Sequence, residues 1–131
     1  MPEARILLAD DHSIVIKGLR AVLEEDASFT VVAEAGNGRA AVTLCETLQP
    51  DVAIVDIAMP QLNGIEAARQ IHRVSAGTKV LMLSMHCDES YILRALAAGA
   101  RGYLLKDSVE EELLTATRTI LKGSTYFSPA I

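Results

Sequence analysis

Five short apolar runs alternating with five stretches of helical spacing constrain this chain more than any other feature of its sequence. Arg5–Ala9, Phe29–Ala33, Val52–Asp56, Lys79–Leu83 and Gly102–Leu105 are near-continuous in apolar residues, the pattern of strands buried on both faces. Ser13 reads as the cap of a first helix, whose apolar stripe is Val15, Leu19, Val22 and Leu23. Ala41, Leu44, Cys45 and Leu48 mark the inner side of a second helix, and Ala67, Ile71 and Val74 that of a third. A fourth opens at Asp88 or Glu89 and runs through Ile92, Leu93 and Leu96 to Gly99. A fifth, capped by Ser108, carries Val109, Leu113, Ala116 and Ile120. Strands that alternate with helices are parallel and are joined by right-handed crossovers. The expected fold is a single doubly wound, five-stranded parallel sheet of the flavodoxin-like order 2-1-3-4-5, with helices on both faces.

Composition agrees with that architecture. The 131 residues suffice for one core, and half are hydrophobic, yet the chain has no Trp, two Phe and three Tyr. The core is therefore aliphatic, which suits a sheet covered by helices. A net charge of -5 without a Lys/Arg cluster argues against nucleic-acid binding by this stretch itself. Cys45 and Cys87 have neither zinc-ligand spacing nor a disulfide framework, and Cys45 is expected to be a small buried hydrophobe. No apolar run is long enough to span a membrane and the first residues lack a signal-peptide pattern, so the expected location is cytoplasmic.

Chemistry gathers at the strand ends. In the expected order the first and third strands are neighbours, so Asp10 and Asp11 converge on Asp56 at the switch point of the sheet. Crowded carboxylates repel unless a cation compensates. Oxygen donors without cysteine, with room for water, suit Mg²⁺ or Mn²⁺ better than Zn²⁺. Ser84 ends the fourth strand and Lys106 follows the fifth on the same edge. Together these groups suffice to place a phosphoryl group on a carboxylate. Cations neutralise its oxygens, a hydroxyl donates to one of them, and an aspartate attacks. No Gly-x-x-x-x-Gly-Lys-Ser/Thr loop is present to cradle a nucleotide. His12 and His72 are assigned to the surface without a metal role.

These residues at these strand ends resemble the response-regulator receiver domain of bacterial two-component signalling, over essentially the whole chain. Asp10-Asp11-His12 with Val15 and Gly18-Leu19, and Gly102-Tyr103-Leu104-Leu105-Lys106, are similar to the NarL/FixJ (LuxR-type) class. The resemblance implies that Asp56 is the phosphoacceptor and that a sensor histidine kinase is the donor. It implies that Asp10, Asp11, Asp56 and the main-chain carbonyl of Ala58 hold Mg²⁺, with Asp11 a direct ligand. It also implies that Ser84, Lys106 and Tyr103 bind the phosphoryl group or switch with it, changing the surface of helix 4, strand 5 and helix 5. A homodimer formed on phosphorylation, and a carboxy-terminal helix-turn-helix that binds DNA, belong to the same class. No such motif follows Gly123, so residues 1–123 are expected to be the receiver and 124–131 the start of a linker to an output domain outside this sequence.

The sequence departs from the commoner receiver pattern at Asp107, where many members have proline. A cis peptide there is not expected, because the non-proline cis form costs about 2.5–4 kcal/mol. Ala58 leaves the position two past the phosphoacceptor without a functional side chain. His86, two past Ser84, is placed either to reach the phosphoryl group and tune its lifetime or to lie exposed. The competing readings are a stand-alone receiver acting through protein contacts, a Mg²⁺-dependent phosphatase with an aspartyl-phosphate intermediate, and a flavin-binding or degenerate domain. A turnover enzyme is disfavoured because Asp10-Asp11-His12 lacks the spacing of two aspartates separated by one residue that such phosphatases use.

Overall fold

In the computed structural model, which describes residues 3–129 and 131, eleven elements follow one another. They are β1 (Ala4–Ala9), α1 (Ser13–Leu23), β2 (Phe29–Ala35), α2 (Gly38–Leu48), β3 (Val52–Asp56), α3 (Gly64–Val74), β4 (Lys79–Ser84), α4 (Glu89–Ala97), β5 (Gly102–Leu105), α5 (Val109–Leu121) and β6 (Tyr126–Phe127). A single 3-10 turn, Lys106–Ser108, feeds α5. Residues 1, 2 and 130, which the expected spans 1–123 and 124–131 include, lie outside the described residues.

The strands form one parallel sheet in the order β2-β1-β3-β4-β5-β6. Alternate side chains of each strand enter different layers, as a pleated strand requires. Ile6, Leu8, Ile54, Leu81, Leu83 and Leu104 pack with Ile16, Leu19 and Leu23 of α1 and with Leu113, Ala116 and Ile120 of α5. Leu7, Ala9, Ala53, Val55, Val80 and Met82 pack on the other face, against α2, α3 and Ala95 of α4. The expected doubly wound sandwich is present, with an aliphatic core. Cys45 is fully buried within it, and burial pushes its thiol up to about 12.

Several local features depart from the sequence reading. Ser13 is the first residue of α1 rather than its cap; His12 holds the cap position, and its carbonyl accepts from the N–H groups of Val15 and Ile16. The physical reason is Asp10, whose Oδ1 accepts the His12 main-chain N–H at 2.9 Å and turns the chain one residue early. Ser108 does occupy the cap of α5, but without a side-chain hydrogen bond, because the 3-10 turn leads directly into the helix. Side-chain caps are instead made by Asn37 to the Ala40 N–H and by Asn63 to the Glu66 N–H. In α4 the residue buried in the core is Ala95, while Leu93 and Leu96 are exposed.

The largest departure is β6. Residues 124–129 do not trail away as a free tail. Tyr126 and Phe127 pair in parallel with Gly102 and Tyr103, adding a sixth strand to the expected five. Ser128, 1% exposed, accepts the Leu105 N–H on Oγ at 3.0 Å and donates its own N–H to the Tyr103 carbonyl. The Tyr126 hydroxyl donates to Glu112 of α5 at 2.6 Å.

One tie between distant segments has a signed pH dependence. Asp26, after α1, accepts from Ser28 and from Arg118 of α5, and these contacts hold its carboxyl down to about 2 from 3.8. A depressed carboxyl stabilises the fold above its unfolded value, and that stability is lost as pH falls through the folded value. Asp26→Asn is therefore expected to lower the urea midpoint between pH 5 and 7. The deficit should shrink as pH falls from about 4 through about 2; a deficit of unchanged size at pH 2 would point to packing instead of charge.

Candidate functional site

Neighbouring strand ends build the site. Ala9 stands opposite Val55 in the β1–β3 register, so the next residues, Asp10 and Asp56, lie side by side at the carboxyl edge of the sheet. The Asp10 N–H donates to Ala35 and the Ile57 N–H to Leu83, which fixes the backbone on both sides. Gly64 presses α3 against the same spot. Its N–H donates to the Ile57 carbonyl at 2.8 Å, and a Cβ on it would fall well inside contact distance of the Asp56 carbonyl oxygen.

Both carboxylates are buried, with Asp10 and Asp56 each 2% exposed, whereas Asp11 is exposed at the rim. Lys106 reaches in from the end of β5, with Nζ 3.1 Å from Asp10 Oδ2 and 3.1 Å from Asp56 Oδ2. These contacts are ion pairs without hydrogen-bond alignment, so both Oδ2 atoms remain buried acceptors with no hydrogen-bond partner. Such atoms are costly to leave unmatched. Burial raises the Asp56 carboxyl above its ordinary value and the Asp10 charge raises it further, while Lys106 and the Ala58 N–H oppose the shift. For Lys106, burial works against the charged form, but Asp10 and Asp56 outweigh it and the ammonium pKa is raised. One ammonium thus faces two carboxylates, a site short of positive charge.

One ligand atom from each of Asp10, Asp11, His12 and Asp56 can be chosen so that all lie within 4.8 Å of one another. Carboxylate oxygens of Asp10, Asp11 and Asp56 outnumber the one ammonium beside them, and such a set fits a hard divalent cation such as Mg²⁺. His12 was expected to be a surface residue outside the metal site. It is exposed, yet its Nδ1 sits 3.1 Å from Asp10 Oδ1 and 3.1 Å from Asp11 Oδ1. Its immediate neighbours Asp10 and Asp11 were the available signal.

Ser84 and Tyr103 form the second part. Ser84, buried at the end of β4, accepts the His86 main-chain N–H on Oγ at 2.9 Å. Tyr103 is 1% exposed and its hydroxyl donates to the His86 carbonyl at 2.8 Å. Burial raises the Tyr103 phenol, with Ser84 opposing. The backbone of His86 thus joins the two side chains, while its exposed ring stacks on Tyr91 at 5.7 Å between centroids. The structure brings together Asp10, Asp11, Asp56 and Lys106 as one group and Ser84, His86 and Tyr103 as another. Ala58 is exposed between β3 and α3, and no cis peptide occurs among the described residues.

Comparison with known proteins shows the family to which this fold belongs. The response regulator receiver domain family matches residues 6–118. The transcriptional regulatory protein DegU of Brevibacillus brevis is 39% identical over 97% of this chain and 54% of its own length. Response regulator UvrY of Escherichia coli is 38% identical over 96% of this chain and 58% of its own. The chain therefore spans little more than half the length of these curated relatives. Among solved structures, a two-component response regulator of the LuxR family from Aurantimonas superposes with a TM-score of 0.94 and 39% identity, covering 98% of this chain and 92% of that one. The signal receiver domain of NarL from Mycobacterium tuberculosis gives 0.90 and 35%, covering 94% and 99%. No helix among the described residues is long and apolar enough to cross a membrane. With the family matched across nearly the whole sheet and the acid and lysine side chains gathered at its carboxyl edge, this chain is a receiver domain of the two-component response regulators.

Proposed function

We propose that Asp56 accepts a phosphoryl group from the phosphohistidine of a sensor histidine kinase, and that the receiver passes this state to an output domain that regulates transcription. The observation that carries the reading is the Lys106 ammonium held 3.1 Å from both Asp56 and Asp10 at the edge of the sheet. A carboxylate oxygen of Asp56 attacks phosphorus and forms the O–P bond. The P–N bond of the donor breaks, and its electron pair leaves on the imidazole nitrogen. Lys106 neutralises charge on the phosphoryl oxygens. Asp10, Asp11, Asp56 and the Ala58 carbonyl would hold Mg²⁺, which supplies further charge neutralisation there.

On phosphorylation Ser84, whose Oγ accepts the His86 N–H in this structure, turns its hydroxyl to the phosphoryl group. Tyr103, tied to the same residue through the His86 carbonyl, then repacks and reshapes the surface of α4, β5 and α5. His86 tunes phosphoryl lifetime through this backbone link, and Ala58 through the absence of a side chain that could obstruct water. The reading treats residues 1–123 as the receiver and 124–131, with β6, as the beginning of the path to the output domain. A cytoplasmic location, dimerisation on phosphorylation and DNA binding only through that output domain complete the proposal.

Incubation with acetyl phosphate and Mg²⁺, followed by intact mass measurement, is the test. The expected result is one added phosphoryl group in the wild type, none in Asp56→Asn, and loss of the adduct with EDTA. Equal labelling of Asp56→Asn, or labelling indifferent to EDTA, overturns the proposal.

A further inference from the structure

Ser128 lies beyond residues 6–118, the stretch that the receiver family matches, yet it is bonded twice to the strand that carries Lys106. Its N–H donates to the Tyr103 carbonyl at 3.1 Å, and its Oγ accepts the Leu105 N–H at 3.0 Å. Tyr103 bears the phenol tied to His86, and Leu105 immediately precedes Lys106. A hydroxyl makes the second bond because the Ser128 carbonyl is turned to the Ile131 N–H at 3.0 Å, and Pro129 has no N–H with which to extend β6. Ser128 is 1% exposed, which leaves water little room to replace its hydroxyl. The consequence falls on Lys106. Leu105 pairs with Ser84 on its other side, so the last residue of β5 is held between β4 and Ser128. From that point the lysine stem runs inward, only 17% exposed, to set Nζ 3.1 Å from both Asp10 and Asp56. A four-carbon stem is flexible, so the placing of its ammonium depends on where its main chain is fixed.

We infer that Ser128 is a positioning residue for phosphoryl uptake, fixing Lys106 through Leu105 and making the docking of β6 and the occupancy of Asp56 depend on each other. This rests on the reading of Asp56 as the phosphoacceptor. Coupling between two sites is reciprocal. If docked β6 holds Lys106 where phosphoryl oxygens are received, those oxygens in turn hold β6 on the sheet. Tyr126 supplies the contrast. It belongs to the same short strand, but its side chain bonds Glu112 of α5 and not the end of β5. Loosening β6 at Tyr126 therefore leaves the Leu105 bond in place.

The test compares the full chain as wild type, Ser128→Ala and Tyr126→Phe, folded and without denaturant, in Mg²⁺. It reads the initial rate of labelling by acetyl phosphate and the affinity for beryllofluoride, a phosphoryl mimic. Ser128→Ala is expected to lower both by about fivefold or more, while Tyr126→Phe stays within about twofold of the wild type. A second measurement needs no variant: amide hydrogen exchange at Leu105 in the wild type should slow severalfold when beryllofluoride is added. Ser128→Ala with the rate and affinity of the wild type overturns the positioning role. So does Tyr126→Phe with an equal loss, because any loosening of β6 would then suffice. A Leu105 amide indifferent to beryllofluoride overturns the mutual dependence. In all three results the wild type still takes up phosphate, so the reading of Asp56 stands. A wild type that gains neither phosphate nor beryllofluoride overturns that reading, and the inference with it.

Discussion

Lys106→Met is expected to destabilise the metal-free protein by about 3–5 kcal/mol, the usual consequence of removing one member of a buried charge set. The ammonium is the cation within 3.1 Å of both Asp10 and Asp56, whose side chains are 0% and 3% exposed. Without it the two carboxylates face each other in a desolvated pocket. Asp56 is already raised by burial and by Asp10, and it would rise further toward sharing a proton. Two additions should restore much of the loss, Mg²⁺ in the buffer or a second substitution, Asp10→Asn, because each removes the repulsion that Lys106 offsets. Urea denaturation at pH 7 in EDTA, with and without excess Mg²⁺, measures all of these. A Lys106→Met protein as stable in EDTA as the wild type would show that the ion pairs contribute nothing.

Gly64→Ala should have a comparable effect by a different route. A methyl at this position has nowhere to go, since its nearest neighbour is the Asp56 carbonyl oxygen and both groups are backbone. The start of α3 must lift away or the Asp56 peptide must rotate. Overpacking of this kind costs about 1–3 kcal/mol, and the displaced carboxylate should lower phosphoryl uptake even where the fold survives. Gly18→Ala is the control. Gly18 lies within α1 with nothing inside 4 Å of an added Cβ, so the same change should stabilise by about 0.5–1 kcal/mol through helix propensity. The prediction is overturned if both substitutions move the unfolding midpoint in the same direction.

The contrast between these glycines illustrates what sequence can carry. Strands buried on both faces leave long apolar runs, so β1, β3, β4 and β5 and the polar residues at their ends were legible. Asp10, Asp56, Ser84 and Lys106 followed from where those runs stop. Gly64 did not, because a close approach between α3 and the Asp56 carbonyl is a tertiary fact that leaves only a turn-like Asn-Gly pair in the chain. The cap of α1 is hidden from the sequence for a related reason. Ser13 has the right chemistry, but the Asp10 carboxylate had already captured the turn through the His12 N–H. In α4, spacing alone favoured Leu93 and Leu96, yet Ala95 is the residue that enters the core. Two residues, Tyr126 and Phe127, are too few to announce a strand; β6 exists because Ser128 and Tyr126 bond to β5 and α5.

The central claim is that a covalent aspartyl phosphate forms at residue 56. Borohydride reduces an acyl phosphate to the alcohol, releasing phosphate and converting that aspartate to homoserine. The phosphodonor-treated, reduced and proteolysed protein should therefore carry homoserine at position 56 and nowhere else. Homoserine at Asp10 or Asp11, or an unmodified Asp56 in protein that has gained phosphate, would contradict the account.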